Sequence, residues 1–466
     1  MRDKRKNPLE FKRWYLLHYQ SRYYFWSLAV LFVSSIYLLF SRWIYMHKFY
    51  ERLTVFMWVG FALSLVSVLY RMFLAIKNFQ ECKYFVKCDD NFDVHAIRIP
   101  KVLQDSGYEK YVGGLVRNIF SGELQLAASI SSRLINNLLW GISIKNNCCF
   151  RVSLPKGYGR NIFGYRSKWE MPKLARDMLY GVLMVLYDIK GRVVANETKI
   201  RLQKDLLLPF EEAELCVEKT DYIADLLTGQ VTGNVVTDRN GGIMYNGYDY
   251  SYNMSNYGLC IKTCQESYTS SQIGASSLIL GLSRQSGVGS NIVGHIAIVV
   301  QEDGNMQSGG LLVPSGSGSL DWSDYVDYRG KMILKGMHRE LFEETTENSW
   351  EQLINQGEIR TMFTGFGRML HRGGKPEFYG LVIMSRDKSQ YGIDETEKRL
   401  VKDFEWIDID PVSVENIISS LCDYRDKNKD ILSHPLFMCI ELAVECLACN
   451  VGLIDEMIKD VARKIK

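Results

Sequence analysis

The chain has 466 residues, 47% of them hydrophobic, with 56 Lys/Arg against 53 Asp/Glu, which is room for two or three domains. Residues 1–79 hold 12 basic and 3 acidic residues, leaving 44 and 50 for the remainder, so a start of +9 precedes a body of −6. A mildly acidic body argues against binding nucleic-acid polymers, whose affinity comes from neutralised phosphates, while the basic start suits an anionic membrane surface.

Residues 1–22 form a basic segment, and "PLEFKRWYLLHYQSRYYF" is aromatic and roughly amphipathic, as in a segment lying along a membrane surface. Two uncharged runs of eighteen residues follow, Tyr23–Phe40 and Leu53–Tyr70. Each is near the lower limit for a membrane-spanning helix, and their aromatic ends allow extension. The expectation is a transmembrane helical hairpin within 23–76, with helices at 23–41 and 53–70. Arg2, Lys4, Arg5, Lys6, Lys12, Arg13 and Arg22 precede the first run, and Arg71, Lys77, Lys83 and Lys87 follow the second. The positive-inside rule then places the N-terminus and the large C-terminal part in the cytoplasm. Gly60, Ser64 and Ser67 have the spacing that lets helices approach closely, or are small residues scattered over a lipid-facing surface.

Residues 77–265 read as a mixed α/β middle domain. "CKYFVKC" and "MLYGVLMVLYDI" suggest strands, and "GELQLAASISSRLINNLLWGI" suggests a helix. Asn-Gly pairs at 240–241 and 246–247 signal turns. Tyr245, Tyr248, Tyr250 and Tyr252 either stack on a base or pack on hairpins. No internal repeat, Walker loop, G-x-S-x-G or kinase motif is present. The eleven cysteines include a C-x-x-C at Cys446 and Cys449 and the pair Cys260 and Cys264, with no second pair or histidine at zinc spacing. They read as reduced residues in a cytosolic core.

Residues 266–466 alternate in the order of an α/β/α sandwich: the strand "NIVGHIAIVVQEDGN", a strand and glycine-rich loop "GGLLVPSGSGSLDWSDY", the helix "KMILKGMHRELFEETTENSWEQLI", two strands around a Gly-Gly turn, "DFEWIDID" and the late helix "HPLFMCIELAVECLACN". Within the first helix, Glu340, Glu343 and Glu344 stand at i, i+3 and i+4 and share a face, with Arg339 placed to pair with Glu343. Ile333, Met337 and Leu341 repeat every four residues on the opposite side. Three carboxylates in one turn repel one another, so they either form a solvated acidic face or hold a hard divalent cation such as Mg²⁺ or Mn²⁺. Arg284, Arg368, His371, Arg372 and Lys375 lie near that presumed pocket and are candidates to meet phosphates, and His338 reads as a surface residue.

"RELFEE" at 339–344 resembles the core of the Nudix box, G-x5-E-x7-R-E-U-x-E-E-x-G-U, where U is bulky and apolar. "GGLLVPSGSGSLD" is similar to the glycine-rich strand and loop before that box, and "FEWIDID" to the strand after it. The likeness covers about 270–466, some two fifths of the chain. It departs at four positions: Lys331 stands where the family has glutamate, Tyr325 and Thr346 where it has glycine, and Glu347 where it has an apolar residue. The resemblance implies that Glu340, Glu343 and Glu344 are metal ligands, that Arg339 supports the box, and that Glu343 is catalytic if the chain hydrolyses a diphosphate. Of the basic residues near the presumed pocket, Arg284, Arg368 and Arg372 are the candidates for ligand binding, or else are solvated charges of a hairpin or strand edge. Membrane helices joined to a Nudix-like domain resemble the transmembrane-Nudix effectors of cyclic-oligonucleotide-based antiphage signalling (CBASS). That likeness implies a cyclic nucleotide made by a nucleotidyltransferase partner, homo-oligomerisation on activation and disruption of the bacterial inner membrane. The alternative is a membrane-tethered Nudix hydrolase using Mg²⁺-activated water on a nucleoside- or lipid-linked diphosphate.

Overall fold

Two apolar helices, α1 (Ser21–Ser41) and α2 (Lys48–Glu81), pack antiparallel through a seam of small and hydroxyl-bearing residues. Ser27 Oγ lies 3.3 Å from Ser67 Oγ, and Tyr37 Oη lies 3.4 Å from Thr54 Oγ1. A Cβ on Gly60 would come within 3.7 Å of Ser34 Oγ, and Ser34 and Ser64 are buried. The bulky residues face outward instead: Phe32 is 67% exposed, Phe56 75% and Leu63 67%. Gly60, Ser64 and Ser67 thus belong to the seam between the helices. Among the described residues no single helix is long and apolar enough to cross a membrane; the apolar stretches there are Ser27–Tyr37 and Thr54–Tyr70.

The computed structural model describes residues 21–41, 48–81, 84–145, 147–155, 160–161, 164–165, 169–190, 196–209, 213–284, 292–303, 307–346, 359–393 and 400–465. The basic segment before residue 21 and Glu347 lie outside them. The chain is mixed α+β and divides into two units. One is Met1–Phe85 with Asp177–Asn196 and Asp238–Gly242; the other is Val86–Arg176 with Glu197–Thr237 and Ile243–Lys466.

The second unit is organised on one mixed nine-stranded sheet. From the middle of the chain come β1 (Tyr108–Arg117), β2 (Leu124–Ser132), α3 (Arg133–Lys145), β3 (Thr198–Leu202), β4 (Glu214–Asp221) and α5 (Tyr222–Thr228), while the helix α4 (Lys173–Lys190) belongs from Asp177 onward to the first unit. Later come β5 (Gly274–Arg284), β6 (Ile292–Gln301), β7 (Leu312–Val313), β8 (Gly316–Ser319), α6 (Trp322–Tyr328) and α7 (Met332–Thr345). The chain closes with β9 (Ile359–Met369), β10 (Lys375–Ser385), β11 (Val401–Ile409), α8 (Val414–Lys427), α9 (His434–Cys449) and α10 (Val451–Ala462). The large sheet runs β7-β6-β5-β10-β9-β2-β1, with β8 on β5 and β11 on β6. The β5–β10 pair is parallel.

Because side chains alternate across a strand, β5 is apolar on both faces. Leu278, Leu280 and Leu282 pack with α8, α9 and α10, while Ile279 packs with Leu341 and Phe342 of α7. Helices therefore cover both sides of the sheet. The bent pair α9–α10 has the length and apolar composition of a membrane span, but its Leu436, Ile440, Leu447 and Ile454 are fully buried in this core layer.

Three expectations change. "MLYGVLMVLYDI" is part of helix α4, in which Ala175, Met178, Leu179, Val182, Leu183, Leu186 and Tyr187 are buried at helical spacing. "GELQLAASISSRLINNLLWGI" is a strand followed by a helix: the Ser132 hydroxyl accepts from the Ile135 amide at 3.2 Å and starts α3 there. The boundary at 265/266 does not separate two units, since β1 and β2 extend the sheet built by the later strands. The tyrosine stretch packs: Tyr245, Tyr250 and Tyr252 are buried, and Tyr248 stacks on Phe92 at 6.3 Å. All ten described cysteines are free; Cys446 is buried and Cys449 exposed.

The contact between β8 and α7 requires glycine. A Cβ on Gly316 would lie 2.3 Å from Leu341 Cα, and one on Gly318 would lie 2.0 Å from Glu340 Oε2. Gly316→Val forces helix and sheet apart, so it should cost about 3 kcal/mol, read as a lower urea midpoint for the detergent-solubilised chain.

Candidate functional site

The helix carrying 339–344 is held on its apolar side by Ile333, Met337 and Leu341, all essentially inaccessible. Its acidic side is covered too. The Glu340 side chain is 14% exposed and the whole of Glu344 is 7% exposed, leaving Glu343, at 39%, as the most open of the three. A solvated acidic face is therefore not what this helix presents.

Arg339 stands at the centre of these charges. Its Nη1 donates to Glu340 Oε1 at 2.8 Å and to Glu343 Oε2 at 3.3 Å. Its Nη2 donates to Asp324 Oδ2 at 3.1 Å and lies 3.4 Å from Asp321 Oδ2. Lys199, on β3, closes the other side of Asp321 at 2.6 Å and also meets Glu197 at 2.6 Å. Five carboxylates thus share two cations. Burial disfavours the Arg339 charge, but Glu340, Asp324 and Asp321 more than offset it and hold the guanidinium protonated. Burial pushes the Glu340 carboxyl up to about 7, with Arg339 opposing the shift and Glu343 adding to it.

The positions that depart from the box have a physical explanation. Tyr325 is buried inside α6 and packs on Trp322, ring centroids 4.7 Å apart. A helix stands where the family pattern has a glycine-opened loop. Gly330 and Lys331 sit in a 3₁₀ turn (Arg329–Lys331), pinned by the Phe150 amide donating to the Gly330 carbonyl at 2.8 Å. Carboxylate oxygens are suitable donors for Mg²⁺ or Mn²⁺. As arranged, however, no three described Asp, Glu, His or Cys side chains, Glu340, Glu343 and Glu344 included, are placed to hold one ion. Arg339 occupies the centre of charge that a shared cation would need.

The other candidates are dispersed. Arg284 is exposed at the end of β5. Arg368 is fully buried, its Nη1 donating to Asp205 Oδ1 at 2.8 Å and its Nε to the Gly374 carbonyl at 3.0 Å. Arg372 Nη2 donates to Asp225 Oδ2 at 2.7 Å. Lys375 is buried against Glu377 at 2.6 Å, and burial lowers its pKa against the pull of that carboxylate. Arg368 and Arg372 are therefore ion-pair partners of the middle region rather than open phosphate contacts. His338 is not a surface residue: it is buried on α7, its Nε2 lies 2.7 Å from Thr361 Oγ1, and burial lowers its pKa to about 3, with Lys335 contributing.

Asp321, Asp324 and Lys199 were absent from the sequence candidates. The acidic pair carries a local signal, since Asp321 caps α6 and Asp324, three residues on, accepts from the Asp321 amide at 2.9 Å. Lys199 carries none, because it reaches the cluster from 122 residues away.

No protein-family model matches the sequence, and no curated protein matches it.

The raised Glu340 carboxyl has a defined effect on stability. The unfolded carboxyl titrates near 4.5 and the folded one near 7, so folding must give up stability as pH rises between those values. Glu340→Gln removes this cost. Relative to the parent chain it should gain on the order of 3 kcal/mol above pH 7 and nothing below pH 4.5, measured as urea midpoints across that range. A variant equally less stable at pH 5 and pH 8 would contradict it.

Proposed function

We propose that this chain is a membrane effector of a bacterial antiviral system. Its Nudix-like part senses a cyclic nucleotide made by a nucleotidyltransferase partner, and its N-terminal hairpin disrupts the inner membrane and ends the infected cell. The observation that carries the membrane half is the inverted polarity of the hairpin, with serines and a glycine inside and Phe32, Phe56 and Leu63 outside. In water that surface is unfavourable, whereas in lipid it is the preferred arrangement, because small residues let helices approach and apolar ones meet acyl chains. The basic residues flanking the two runs support a multi-pass topology with both termini in the cytoplasm.

The sensing half rests on the resemblance of "RELFEE" and on how the box departs from its family. Arg339 pairs with Glu340 and Glu343, and Lys331 and Tyr325 replace the family's glutamate and glycine. Both features favour binding without turnover. Ligand would then shift the population toward a homo-oligomer whose hairpins act together, which requires tighter binding to that state. A second reading, a membrane-tethered Nudix hydrolase, is favoured by the excess of carboxylates over cations. It needs Mg²⁺ or Mn²⁺ at Glu340, Glu343 and Glu344 with Glu343 as the catalytic carboxylate.

Dye-loaded liposomes carrying the full chain, challenged with a panel of cyclic and linear nucleotides in Mg²⁺, separate the two. Dye release by one cyclic nucleotide recovered intact is the expected result. Rapid cleavage that disappears in Glu344→Gln would establish the hydrolase instead. Phe56→Lys with Leu63→Lys should move the chain from the membrane fraction and abolish release, while leaving nucleotide binding within about twofold.

A further inference from the structure

We propose that the outward face of α3 is the contact surface through which two copies of this chain pair, helix against helix and antiparallel across a two-fold axis. The surface lies within the second unit and requires neither nucleotide nor the hairpin, so its test is separate from that of the function proposed above.

The inner side of α3 is fixed. Ile135, Leu139, Trp140 and Ile142 are buried. Asn136 Oδ1 accepts from the Phe366 amide, the Trp140 indole donates to the Thr364 carbonyl, and the Ser143 hydroxyl accepts from the Phe363 amide, each at 2.9 Å. These bonds to β9 are spread along the helix and hold its rotation. The outer side of such a surface helix is expected to be polar. Instead Leu134 is 49% exposed, Leu138 38% and Ile144 51%. With 3.6 residues per turn, Gly141 falls in the middle of that outward arc. A Cβ there would meet nothing within 4 Å. Glycine inside a helix is unfavourable, and no contact within the chain requires it at this position. Exposed apolar side chains grouped on one face mark a contact surface.

The charges at the two ends of the face select a second copy as its occupant. Near the start of α3, Glu445 accepts from the Tyr111 hydroxyl at 2.8 Å and lies among Arg133, Glu441 and Glu109. Arg425 engages Glu441, and Arg133 Nη2 donates to Cys449 Sγ at 3.4 Å. That end therefore keeps an acidic excess, Glu109 and Glu445 against Arg133. At the far end Lys145 is exposed, and Lys331 is the cation that acts on nearby Cys148. An anionic lipid surface would suit the far end and be repelled by the start. In an antiparallel pair each Lys145 comes over the acidic start of the opposite helix. Leu138 of each copy then fills the open space at Gly141 of the other. Such a two-fold contact is self-complementary, because residue i meets j while j meets i.

Sedimentation of the full chain in detergent without nucleotide tests this, together with Leu138→p-benzoylphenylalanine irradiated in membranes. A dimer at micromolar concentration and a crosslink from position 138 to residues 133–145 of a second copy are expected. Leu138→Lys should raise the dissociation constant at least tenfold. Lys145→Glu should weaken pairing severalfold, and adding Glu109→Lys to it should restore the parent value. A monomeric parent, a dimer unchanged by Leu138→Lys, failure of that charge reversal to rescue, or a crosslink to lipid or to another protein would each overturn the proposal.

Discussion

The Arg339 guanidinium is the constraint on which the arrangement of the second unit depends. It draws together carboxylates from the start of α6 and from the middle of α7, and through Asp321 it connects to Lys199 on β3. One buried cation thus fixes the pitch of a helix, the entry into it and the seating of the middle region. The glycines of β8 follow from the same demand, because Glu340 and Leu341 fill the space their side chains would need. A group this desolvated holds its charge only with several partners, and losing it would leave buried carboxylates facing one another.

The same economy governs the rest of the interior. Arg201 with Glu218, Arg368 with Asp205, Arg372 with Asp225 and Lys375 with Glu377 are closed pairs with at least one partner almost fully buried. Buried pairs contribute little net stability, since desolvation offsets attraction, but a single partner left alone is strongly unfavourable. They therefore specify geometry: two of the four pin the end of β9 and the turn after it to Asp205, after β3, and Asp225, in α5. The basic residues that a nucleotide pocket would want on this hairpin are engaged in holding the protein together.

Part of this was legible in the sequence. The strand, loop, helix, strand order read as an α/β/α sandwich, and the four-residue repeat of Ile333, Met337 and Leu341 marked the buried side of α7, whereas β5, the centre of the sheet, was not singled out. The small-residue spacing at Gly60, Ser64 and Ser67 marked a real seam, although spacing alone left lipid exposure equally open. Helix α4 was hidden because the window 178–189 is apolar almost throughout, so its buried and open sides do not differ in residue type. The roles of Arg368 and Arg372 were not legible, since Asp205 and Asp225 lie 163 and 147 residues away and nothing local reports the pairing. The closure of the acidic helix by Arg339 was half legible: Glu343 follows from i,i+4 spacing, whereas Asp321 and Asp324 need the fold.

Electron paramagnetic resonance of Mn²⁺ with the full chain most directly asks whether Arg339 or a metal ion holds these carboxylates. With Arg339 as the resident cation, the signal of free Mn²⁺ should persist at one equivalent of protein, and Arg339→Met should create binding by freeing Glu340 and Glu343. Stoichiometric loss of the free signal with the parent chain, reversed by Glu344→Gln, would contradict this and make a metal ion the cation these carboxylates share.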